Sequence, residues 1–84
     1  MRLSARPVTY FLEMVAVALG KVSGAEALAI WIRLMDHPSF WVRRAALYSL
    51  RNFRSEEATK VIKKALKDAS PNVRELAQEI LQTQ

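Results

Sequence analysis

Residues 39–50 read Ser-Phe-Trp-Val-Arg-Arg-Ala-Ala-Leu-Tyr-Ser-Leu, and residues 70–81 read Ser-Pro-Asn-Val-Arg-Glu-Leu-Ala-Gln-Glu-Ile-Leu. At a 31-residue offset Ser39 meets Ser70, Val42-Arg43 meets Val73-Arg74, Ala46 meets Ala77 and Leu50 meets Leu81. The register continues upstream, where Glu26-Ala27 recurs as Glu57-Ala58, and 54–84 superposes on 23–53 without a gap. Columns that lose identity stay apolar: Ile30 faces Val61, Trp31 faces Ile62, Leu34 faces Ala65 and Met35 faces Leu66. A period of this length marks stacked helical hairpins, because one such unit cannot bury its apolar face alone and needs a neighbour on which to lay it.

Caps and spacing predict five helices. The first runs over about 7–20, with Pro7 in its opening turn and Gly20 as its end. Phe11, Val15 and Leu19 fall on the columns of Val42, Ala46 and Leu50, so this segment matches the second helix of a hairpin and the chain reads B, A-B, A-B. Ser23-x-x-Glu26 is a capping box for the second helix, whose apolar run over 27–35 stops at Asp36-His37-Pro38. Ser39 is positioned to cap the third, with Val42, Ala46, Ser49, Leu50 and Phe53 on one face. The fourth follows Ser55, with Glu56 and Glu57 against its positive end and Ala58, Val61, Ile62, Ala65 and Leu66 facing inward. Ser70-Pro71 opens the fifth, whose buried stripe is Val73, Leu76, Ala77, Ile80 and Leu81.

Composition bounds the function. Eighty-four residues form one domain, 1–84, and two and a half repeats fall short of the roughly three that a repeat array usually needs. The chain has no cysteine, which excludes disulfides and thiolate metal sites and fits a reducing cytoplasm, the expected location. No apolar run reaches the roughly eighteen residues of a transmembrane helix, and Glu13 interrupts the stretch at 8–19 that otherwise resembles a signal peptide. No metal or other cofactor is expected. His37 has no second histidine to share an ion, and Asp36-His37 beside Ser39 already serves a helix end and a helix start, so catalysis is disfavoured.

Phe40-Trp41-Val42-Arg43-Arg44-Ala45-Ala46-Leu47-Tyr48-Ser49-Leu50 and Ala65-Leu66-Lys67-Asp68-Ala69-Ser70-Pro71-Asn72-Val73-Arg74 resemble HEAT-like repeats of the phycobilisome-lyase type, over about 8–84. The resemblance implies an all-α fold, a short right-handed α-solenoid of about two and a half hairpins, used mainly for macromolecular recognition, with bilin lyases an enzymatic minority. It implies a structural ladder in which Arg43 and Arg74 pair with turn aspartates such as Asp36 or Asp68. It also places the second helix of each hairpin on the concave face. Two positions depart from the pattern: Arg51 stands where a helix-ending glycine is common, and His37 occupies the column of Asp68.

Non-core positions of the third helix are then the natural reading surface: Trp41, Arg44, Tyr48, Arg51 and Asn52. Arg44, Tyr48 and Arg51 share a face at i, i+4, i+7, and aromatic and arginine side chains are the usual interface anchors. The equivalent columns hold Glu75, Glu79 and Gln82 downstream and Glu13 and Val17 upstream, a mixed polarity that suits a protein ligand better than a phosphate backbone. Lys60, Lys63, Lys64 and Lys67 form a second basic stripe, within a segment 32–67 that carries nine Lys/Arg and three Asp/Glu, net +6 against +5 for the whole chain. A solvated face is the simplest meaning of that stripe, with nucleic acid as the alternative.

Helices one and two are apolar nearly all round, which predicts self-association through Tyr10, Met14, Val17 and Ile32. The expectation is a non-enzymatic adaptor that binds a protein on its concave face and forms a homo-oligomer. A nucleic-acid-binding module is second, and a phycobilin-lyase-like accessory subunit third.

Overall fold

The computed structural model describes residues 14, 15 and 17–83. The start of the helix expected over 7–20, together with Tyr10, Phe11 and Glu13, lies outside the described residues. Met14, Val15, Val17 and Ala18 are helical, and that helix stops at Gly20, whose φ of +71° is the left-handed conformation that glycine adopts without the steric cost of a Cβ.

Four helices follow: α1 over Gly24–Leu34, α2 over Phe40–Leu50, α3 over Glu56–Lys64 and α4 over Pro71–Thr83. Their starts obey local chemistry. At α1 the capping box closes in both directions, the Glu26 amide donating to Ser23 Oγ at 3.1 Å and the Ser23 amide to Glu26 Oε1 at 3.0 Å. At α3 the Ser55 hydroxyl accepts from the Ala58 amide at 3.1 Å, and Pro71 opens α4, where a missing N–H costs nothing.

Ser39 departs from expectation. It is the N-cap of α2, but its side chain makes no cap bond. Instead its own amide donates to His37 Nδ1 at 3.0 Å. The same bond recurs one repeat later, where the Ser70 amide donates to Asp68 Oδ1 at 2.8 Å. His37 thus replaces an aspartate as the acceptor that fixes the turn before a B helix.

Helices α1 and α2 form one hairpin and α3 and α4 the next, with α2 packed on α4 across the junction. The core runs through all four: Ala27, Trp31 and Leu34 from α1, Ala46, Leu47 and Leu50 from α2, Ala58 and Ile62 from α3, and Val73, Leu76, Ala77 and Ile80 from α4. Complete burial of a leucine such as Leu34, Leu47 or Leu50 contributes about 1.5–3 kcal/mol. Leu47 joins the core although the expected stripe omitted it, because α2 has neighbours on two sides and needs a wider apolar face than an end helix. Leu66, expected to face inward, is 39% exposed. A 3₁₀ turn over Ala65–Lys67 continues α3, and its tighter winding keeps Ala65 inside while turning Leu66 out.

Candidate interaction surface

The adjacent arginines of α2, Arg43 and Arg44, sit in different surroundings. Arg43 points to the junction between hairpins, donating from Nε to Asp68 Oδ2 and from a terminal nitrogen to Oδ1, both at 3.0 Å. Its other terminal nitrogen donates to the carbonyls of His37 at 2.8 Å and Pro38 at 3.0 Å. Arg74, one repeat on, makes the matching backbone bonds to the carbonyls of Asp68 at 2.7 Å and Ala69 at 3.2 Å. Asp68 is therefore the partner of Arg43; Asp36 is exposed at the end of α1, and Arg74 holds turn carbonyls.

Burial pushes the Asp68 carboxyl up. Hydrogen bonds from Arg43 and from the Ser70 amide, with the charges of Arg43 and Arg74, outweigh that effect and hold it below its ordinary value. The group is a carboxylate committed to joining hairpins.

The outward edge of α2 is different. Trp41, Arg44, Tyr48, Arg51 and Asn52 are all exposed, Trp41 by 65% and Tyr48 by 51%. Trp41 is therefore not core; it leans on Phe40 with ring centroids 4.6 Å apart. The Arg51 guanidinium sits 4.1 Å over the Tyr48 ring and donates to Asn52 Oδ1 at 3.3 Å. The cation–π contact and the amide bond hold Arg51 in one place, which lowers the entropy it would lose on binding.

The four lysines of α3 and its 3₁₀ extension are exposed. Lys60 and Lys63 line a groove with Arg51 and Asn52, whereas Lys64 and Lys67 lie outside it. Sequence reasoning placed Arg51 and the lysines in separate sets and passed over Arg54, which lines the same groove.

Met14 and Val17 line a second, apolar groove of about 600 Å³ with Trp31 and Phe53. Met14, Val17 and Ile32 are half-buried against the core. Among the described residues no three of His, Asp and Glu come together as a metal site, and no helix is long and apolar enough to cross a membrane.

Paired hairpins with a period of 31 residues, capped turns and an inter-hairpin arginine–aspartate bridge define a helical-repeat protein. The family described as HEAT repeats matches residues 2–82, and the chain belongs to it. That match is to HEAT repeats as a class and does not single out the phycobilisome-lyase type. No curated protein and no solved structure matches the chain.

Proposed function

We propose that this chain is a non-enzymatic protein-interaction adaptor whose reading surface is the outward edge of α2. One observation carries the reading: two large aromatic side chains, Trp41 and Tyr48, stand exposed on a single helix face with Arg44 and Arg51 beside them. Trp and Tyr bury much area with little loss of side-chain freedom, and arginine joins them among the residue types enriched at interface anchors. In a right-handed solenoid of HEAT repeats this is the concave side. The test is Arg44→Glu with Tyr48→Ala: partner binding falls by about thirtyfold or more while the melting midpoint stays put, since anchors contribute about 2 kcal/mol and exposed changes move stability by less than about 0.5. Unchanged affinity for the same purified partner removes this face from the account.

Self-association through the N-terminal helices is a separate part of the reading. It is supported by the apolar groove along Met14 and Val17. Nucleic acid is the second reading, supported by the exposed Lys60, Lys63, Lys64 and Lys67; it requires affinity that falls steeply with salt and flattens when the four become glutamine. A phycobilin-lyase-like accessory role rests on the resemblance of 40–50 and 65–74 alone.

A further inference from the structure

A groove of about 1020 Å³ opens where the C-terminal ends of α2 and α4 meet α3. Among the described residues that line it are four cations, Arg51, Arg54, Lys60 and Lys63, and a single carboxylate, Glu56. None of the four cations forms an ion pair with a described residue. They come from three places in the chain, the C-cap of α2, the loop after it and two positions three apart on α3, so packing is what brings the arginines and the lysines together. Four positive charges against one negative leave a net positive field in the concavity, which an oppositely charged partner relieves on binding.

The lining is not only charged. Phe53, half-buried, brings apolar surface to the groove, and the nearly buried Ile80 lines it as well. A basic recess with a small apolar contact matches an acidic peptide that carries an occasional apolar side chain. Single-stranded bases need open aromatic faces on which to stack, and the aromatic among the described lining residues, Phe53, is half-buried.

We propose that this groove binds an acidic protein segment, seating an apolar side chain on Phe53 and setting carboxylates against Arg51, Arg54, Lys60 and Lys63. The inference rests on the protein-interaction reading and supplies the chemistry of the partner: an acidic, sparsely apolar stretch that enters from the α2 edge, where Arg51 belongs to both surfaces.

The test uses the whole chain and a labelled peptide of Asp-Glu-Leu-Glu repeats, with its Asn-Gln-Leu-Gln counterpart, oligothymidine and a DNA duplex as the other arms. The acidic peptide binds, its amide counterpart does not, and both oligonucleotides bind more weakly. Lys60→Glu with Lys63→Glu lowers peptide affinity by roughly tenfold or more, while Lys64→Glu with Lys67→Glu, the same charge change on the same segment outside the groove, changes it by less than about twofold. Amide shifts on titration, read at Thr59, Ile80 and Thr83, locate the peptide independently of any substitution.

Equal losses from the two lysine pairs, shifts away from the groove, or a wild-type chain that ignores the peptide overturn the proposal. Tighter binding of either oligonucleotide overturns it in favour of nucleic acid. If the peptide fails while a protein partner is still lost on changing Arg44 and Tyr48, the groove inference falls alone; if that partner is unaffected too, the protein-interaction reading falls with it.

Discussion

Arg43 on α2 and Asp68 before α4, 25 positions apart in sequence, meet through two parallel bonds of 3.0 Å. Both side chains are largely shielded, 15% and 11% exposed. Asp68 also fixes the Ser70 amide, and its carbonyl receives Arg74, so one residue ties the first hairpin to the turn that starts the last helix. Geometry of this kind is bidentate and charge-assisted, the strong class of hydrogen bond.

Breaking it is therefore costly. Arg43→Ala is expected to lower stability by about 2–3 kcal/mol, between the values for exposed and fully buried pairs, and Arg44→Ala by less than about 0.5. Denaturant titration of the two variants separates them. Equal small effects would leave the bridge with no structural role.

Acid tests the same bridge. The folded-state pKa of Asp68 is depressed, so its stabilisation is fully present above the unfolded value near 3.8 and is lost as pH falls through the lower folded value. Asp68→Asn should flatten this part of the stability profile below about pH 4 relative to wild type, while costing stability at neutral pH. A variant that keeps the full wild-type acid dependence would assign that dependence to other carboxylates.

His37 and Asp68 accept the same turn bond one repeat apart, which predicts an asymmetric substitution series. His37→Asp and His37→Asn retain the bond to the Ser39 amide and stay near wild type; His37→Ala loses it and drops by about 0.5–2 kcal/mol, the range for a lost cap. Thermal melts of the three are sufficient. Equal losses in all three would place the importance of His37 in its ring and not in its acceptor.

Self-association predicts a sedimentation coefficient that rises with concentration and returns to the monomer value in Met14→Asp with Val17→Lys, with reduced stability. A wild-type chain that is folded and monomeric at high micromolar concentration contradicts it.

Much of the fold was legible because it is local. Ser23, Glu26, Ser55, Pro71 and Gly20 act through contacts within a turn or two, and the sequence period places the matching helices. Leu47 was missed and Leu66 misplaced because two-sided packing and a 3₁₀ ending are tertiary events that periodicity does not encode. The candidate surface divides in the same way. Spacing along one helix was enough to group Trp41, Arg44, Tyr48 and Arg51. The basic groove was illegible because Arg51, Arg54, Lys60, Phe53 and Ile80 meet only after α2, α3 and α4 have packed.

The central claim is that the outward edge of α2 is where this chain meets protein. Replacing Tyr48 with a photoreactive phenylalanine in the full chain, and separately Gln78 on α4, tests it most directly by cross-linking in the native host and identifying the products by mass spectrometry. The account predicts a discrete protein adduct from position 48, absent from position 78, that the purified partner reproduces and Arg44→Glu abolishes. The same adducts from both positions, or recovery of nucleic acid in place of protein at position 48, would contradict it.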